Sequence, residues 1–160
     1  MQKIVIISVG RLKDKFFIEA KDEYVKRLGG YCQIEMIDIP QEVLLSHPSQ
    51  KEISNALELE ADKIISKIPK NSLIIPLCIE GKQYSSEEFS KVISHNADFG
   101  SGSIAFVIGS SFGLSERVKE LGKIKFSMSK MTFPHRLAKI MLLEQIYRAF
   151  KILGGGEYHK

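Results

Sequence analysis

Tryptophan is absent, and cysteine is limited to Cys32 and Cys78 in 160 residues. The two form no C-x-x-C pair and have no clustered histidine partners. That argues against a disulfide scaffold and a zinc site, and makes the cytoplasm the expected compartment. No apolar run approaches the ~20 residues of a membrane span. The run Ile4–Val9 is shorter than the ~7 or more apolar residues of a signal-peptide core and reads as a buried strand. The loop Val9-Gly10-Arg11-Leu12 has one glycine and lacks the G-x-G-x-x-G fingerprint, and no Walker A sequence occurs. A Rossmann dehydrogenase and a P-loop enzyme are therefore disfavoured. Internal repeats, low-complexity tracts and linkers are also missing, so residues 1–160 read as one domain.

Hydrophobic residues make up 44% and charged residues 26%, which is enough apolar surface for a core and excludes intrinsic disorder. Charge is uneven along the chain. Residues 121–160 hold eight Lys/Arg against two acids, whereas the first 120 residues are slightly acidic. A basic last quarter on an acidic body points to a polyanion met by one face, or to a solvated basic helix.

Strand and helix patterns alternate from end to end. Apolar runs predict strands at Lys3–Val9, Leu73–Ile79 and Ser103–Ile108; Cys32–Ile39, ending at Pro40, reads as another, and a fifth falls at about Lys123–Ser127. Helical spacing predicts helices over Lys15–Leu28, from Ser49 to Pro69, after Ser85, over Ser115–Leu121, and from Pro134 to Leu153. Ser49/Glu52 and Ser85/Glu88 have the spacing of capping boxes. This pattern predicts an α/β fold, a largely parallel sheet of five to six strands with helices on both faces. Ligands of such sheets bind beyond the carboxyl ends of the strands.

Three loops at that edge stand out. The third strand runs into Glu80-Gly81-Lys82, the fourth into Gly109-Ser110-Ser111-Phe112-Gly113, and the fifth into Met128-Ser129-Lys130-Met131-Thr132-Phe133-Pro134-His135. Glycine after a strand allows close backbone approach to a ligand, although it also serves plain turns. Met128, Met131 and Phe133 are large and apolar in an irregular segment, so they must cover either the core or a flat apolar ligand. A side chain at Gly109 is expected to intrude on the ligand's space. No metal site is expected.

The segments Phe126–His135 (FSMSKMTFPH), Leu143–Lys151 (LEQIYRAFK) and Gly156–Lys160 (GEYHK) resemble the ribosomal RNA large subunit methyltransferase H family of the SPOUT class. Val9–Lys13 and Glu23–Leu28 fit the same family, and the resemblance spans the whole chain. It implies a C-terminal trefoil knot, which periodicity alone does not indicate. It also implies S-adenosyl-L-methionine as methyl donor, held by Leu77, Gly109, Met128, Ser129, Lys130, Met131, Thr132 and Phe133. The implied reaction is methylation of N-3 of a pseudouridine in 23S rRNA within the assembled ribosome, by a homodimer without metal or membrane. Ser110, Phe112 and Cys78 depart from the family's usual pattern.

The imide nitrogen must lose its proton to attack. His135 and His159 are the candidate bases; His135 would otherwise brace the helix start. Arg148, Tyr158 and Lys160 are candidate RNA contacts, with Arg148 acting across a dimer interface. Apolar residues from Leu137 to Leu153 cover more than one helix face, which predicts a partner surface. Two alternatives share the basic face: a tRNA methyltransferase of the same fold, and a non-catalytic RNA- or ribosome-binding module.

Overall fold

The computed structural model describes residues 1–155. The elements are β1 (Lys3–Val9), α1 (Lys15–Leu28), β2 (Gln33–Ile39), α2 (Gln50–Lys67), β3 (Leu73–Gln83), α3 (Ser86–Phe99), β4 (Ser103–Ile108), α4 (Glu116–Leu121), β5 (Phe126–Ser127) and α5 (His135–Leu153). The five strands form one sheet in the order β2-β1-β4-β3-β5, and every strand pair is parallel.

The strand sequences explain this order. β1 and β4 are mostly apolar and almost wholly buried, and they occupy the centre, where both faces are covered. Side chains alternate across the sheet with period two. Ile4, Ile6, Ile104 and Phe106 therefore point into one core with Leu28 of α1, Phe89 and Ile93 of α3, and Leu142, Leu143 and Ile146 of α5. Val5, Ile7, Val9 and Val107 point into the other, against Ala61 and Ile64 of α2 and Val118 of α4. β2 alternates exposed and covered residues, as its edge position requires. Both capping boxes form: the Ser49 and Ser85 side chains each accept a backbone N–H while Glu52 and Glu88 reach back.

Three boundaries differ from expectation. β3 continues four residues past Ile79 to Gln83. Gly81 makes this possible: its backbone lies so close to Lys125 that a Cβ would approach the Lys125 carbonyl to 2.7 Å. Lys82 N–H then donates to the Lys125 carbonyl at 2.8 Å. β5 has only two residues, because Pro76 offers no N–H and its ring lies against Gly122. Its ladder with β3 accordingly starts at Leu77–Phe126. Pro134 takes the cap position of α5 rather than its first turn.

α5 packs against both α1 and α3. Its residues Leu142, Leu143, Ile146 and Ala149 are buried within the chain, while Ile140, Met141 and Phe150 are half-buried. Leu137 and Leu153 remain exposed at its two ends. Among the described residues, no helix is long and apolar enough to cross a membrane, and no group of three His, Cys, Asp or Glu is placed to hold a metal.

Candidate active site

A cavity of about 860 Å³ opens beside residues 77–80 of β3 and beyond the carboxyl ends of β4 and β5. Leu77, Cys78, Ile79 and Glu80 form one wall, Gly109 to Leu114 a second, and Met128, Ser129 and Met131 to His135 a third, with Ala138 of α5 behind them. The loops singled out after the fourth and fifth strands thus converge; of the segment expected to follow the third strand, only Glu80 lines the cavity, and it lies within β3. Ile79, Phe112 and Met131 are 55%, 43% and 72% exposed around this cavity. Apolar side chains left open beside a cavity mark a surface kept for a ligand.

Short polar contacts hold the loop after β5. Ser127 Oγ donates to the Ser129 carbonyl at 3.0 Å, and Ser129 Oγ accepts from Met131 N–H at 3.0 Å. Of the residues implied as donor contacts, Leu77, Gly109, Met128, Ser129, Met131, Thr132 and Phe133 all line the cavity. Lys130 does not; its side chain is exposed and turned outward.

Gly109 has a different role from the one expected. A Cβ there would collide with the carbonyl of Gly113 before meeting any ligand. The turn is closed by Gly113 N–H donating to the Ser110 carbonyl at 2.9 Å, with Gly113 at φ +85°. Gly109 shapes the wall by letting its own loop fold back on itself.

Glu80 lines the cavity with its carboxylate 2.5 Å from Lys119 Nζ. The hydrogen bond from Lys119 is the main reason its carboxyl sits below the usual range. Cys78 lies beside it, and its thiol is pushed up mainly by burial. A protonated thiol is a poor nucleophile.

His135 begins α5 and borders two cavities. Its Nε2 lies 3.5 Å from the point a Cβ on Gly10 would occupy, so the glycine at φ +82° leaves room for the ring above the end of β1. Its pKa is lowered, first by burial and then by the charges of Arg136 and Lys139. The ring is therefore held neutral and ready to accept a proton near neutral pH. Lys139 is almost fully buried and is neutralised by Asp38 at 2.9 Å; Ser8 Oγ donates to the same carboxylate oxygen at 3.2 Å.

Arg148 lies elsewhere. It grips Glu144 through Nε at 3.0 Å and Nη2 at 2.7 Å. It stands roughly 20 Å along α5 from His135 at the rise of an α-helix. Tyr158, His159 and Lys160 lie outside the described residues.

A group that the sequence reading passed over is Glu60 of α2, which is 3% exposed. Its carboxylate accepts from Glu42 N–H at 3.0 Å and from the Ser110 side chain, tying the loop after β2 to the loop after β4. The departure Ser110 is thus explained, since its hydroxyl satisfies a buried acid. Burial above all raises the Glu60 pKa. A raised carboxyl favours the fold below its unfolded pKa, and that advantage is lost as pH rises through the folded value. Glu60→Gln keeps an acceptor and has no charge to bury. In thermal melts the variant is expected to match or exceed the parent at pH 8, with the parent gaining relative to it at pH 4.5. A deficit of the variant that is equal at both pH values would refute this account.

The whole chain has relatives consistent with this site. Residues 2–159 match the family model described as "Predicted SPOUT methyltransferase". The chain is 49% identical over 157 residues to the ribosomal RNA large subunit methyltransferase H of Clostridium botulinum (strain Kyoto / Type A2), covering 98% of this chain and 99% of that protein. It is 46% identical over the same shares to ribosomal RNA large subunit methyltransferase H 1 of Clostridium perfringens (strain SM101 / Type A). Among solved structures, the "Probable Methyltransferase from Bordetella pertussis Tohama I" superimposes with a TM-score of 0.61 at 15% identity, over 93% of this chain and 95% of that one. That likeness speaks for the fold alone. The full-length matches carry the assignment: the chain belongs to the ribosomal RNA large subunit methyltransferase H family of SPOUT methyltransferases.

Proposed function

We propose that this protein transfers a methyl group from S-adenosylmethionine to N-3 of a pseudouridine in 23S rRNA, acting on the assembled ribosome in the cytoplasm. The observation that carries this reading is the cavity built by residues 77–80 of β3 and the loops after β4 and β5 in a chain of this family. Its volume lies within the ~300–1,000 Å³ of small-molecule sites. Its walls combine apolar side chains for a flat base with hydroxyls and the Glu80 carboxylate for polar groups. These residues fit the donor. Leu77, Met128, Met131 and Phe133 would enclose it, and Ser111 and Thr132 would offer hydroxyls.

When bound, the donor supplies an electrophilic methyl group on a sulfonium. The protein's part is to align the target nitrogen with it and to remove the imide proton. His135 is the proposed acceptor of that proton. Burial first, then the charges of Arg136 and Lys139, keep the ring neutral beforehand.

The same proposal includes the knotted C-terminal path of the SPOUT class and a homodimer. Arg148 is far along α5 from His135, so a second copy is what would bring it to the site; a monomer mass in sedimentation would remove that role. Tyr158, His159 and Lys160 are proposed to close over the target base.

The test is incubation of ribosomes lacking the modification with labelled S-adenosylmethionine, followed by mapping of the label. Label at N-3 of one large-subunit pseudouridine is expected. Label in tRNA, or none, would refute the proposal. In the same assay, a chain lacking residues 158–160 is expected to bind the donor and transfer no methyl group. Transfer at the normal rate would remove the tail from the site.

A further inference from the structure

A second cavity, of about 580 Å³, lies beside the first, beyond the carboxyl ends of β1 and β2. The two share His135 and Arg136 as a common wall. Their border falls between β1 and β4. At that point the sheet order reverses, with β2 on one side and β3 and β5 on the other. Such switch points are where open α/β sheets bind ligands.

The charges around the second cavity are unequal once pairing is counted. Its carboxylates are engaged: Asp38 with Lys139 at 2.9 Å, and Glu42 with Lys63 at 2.6 Å. Arg136 pairs with Asp14 at 3.1 Å, yet its Nε is buried without a hydrogen-bond acceptor. Arg11 and Lys13 are exposed on the lip, and neither makes an ion pair among the described residues. The lip therefore offers an anion two cations that make no ion pair among the described residues. The imidazole at the far wall faces the donor cavity as well.

We propose that this second cavity receives the target nucleotide of the RNA, with phosphate held by Arg11 and Lys13 and the base directed toward His135. This rests on the methyl-transfer reading above and adds where the substrate enters. His135, which borders both cavities, is then beside the nucleotide and can take the imide proton while N-3 itself meets the methyl group.

The test is the double variant Arg11→Ala/Lys13→Ala, whose exposed side chains can be removed without touching the core. The control is Lys70→Ala/Lys91→Ala, which removes the same charge outside the cavity. Methyl transfer to ribosomes and binding to a large-subunit rRNA hairpin are measured across salt concentrations, with donor binding by calorimetry. For Arg11→Ala/Lys13→Ala, the KM for ribosomes is expected to rise about tenfold or more, and the slope of log affinity against log salt to shrink by about 1.4, from two lost phosphate contacts. Donor affinity should stay within twofold, the control should shift neither RNA measure, and Arg11→Lys/Lys13→Arg should restore both. An unchanged KM and slope, or an equal loss in the control, would overturn the subsite while leaving methyl transfer standing. Failure of the unaltered protein to methylate any RNA would instead remove both readings.

Discussion

His135→Ala is expected to lower kcat for methyl transfer to ribosomes by about 10²–10⁴, the range of a lost general base, while donor affinity stays within about threefold. The imide proton must leave before N-3 can attack, and the imidazole at the head of α5 borders both cavities. Burial first, then Arg136 and Lys139, lower its pKa from the ordinary 6.5. The sign follows directly. A lowered pKa keeps the ring neutral to more acid pH, so the acidic limb of the kcat profile should fall below pH 6.5. His135→Ala should flatten that limb as well as lower the plateau. A ring that only braced the helix would alter stability and leave the limb in place. If the variant keeps kcat within threefold of the parent, His135 is not the base and His159 takes its place.

Much of this site could be read in the amino-acid order because local rules govern it. Met128, Met131 and Phe133 are apolar where the pattern is irregular, and they do line a cavity. Ser49 and Ser85 announce helix starts through spacing alone. What escaped depends on residues distant in sequence. Lys139 sits in the apolar pattern of α5 and reads as one more surface charge. Only the fold brings Asp38 to it, across 101 positions. Glu60 looks like an exposed helix acid until the loops after β2 and β4 close over it. Gly81 reads in the sequence as a glycine after a strand but lies within β3, and Gly109 follows β4; what limits both is nearby backbone. Lys130, by contrast, stands between two lining residues without lining the cavity itself.

Ala138→Trp should abolish methyl transfer by filling the donor cavity. Ala138 lies in the first turn of α5, and its small side chain forms part of the wall behind the loop after β5. A loop residue made larger could swing outward. A helix residue cannot, because α5 is anchored by Leu142, Leu143 and Ile146 in the core. An indole at position 138 must therefore project from a fixed backbone into space the donor would need. Calorimetry is expected to show S-adenosylmethionine binding weakened at least 100-fold, which corresponds to about 2.8 kcal/mol. The melting temperature should stay close to the parent's, since the added ring enters a cavity and displaces no core side chain. Ala138→Ser at the same position should bind and transfer normally. Donor affinity within threefold of the parent for a folded Ala138→Trp protein would place the donor outside this cavity, and with it the roles assigned to Leu77, Met128 and Phe133.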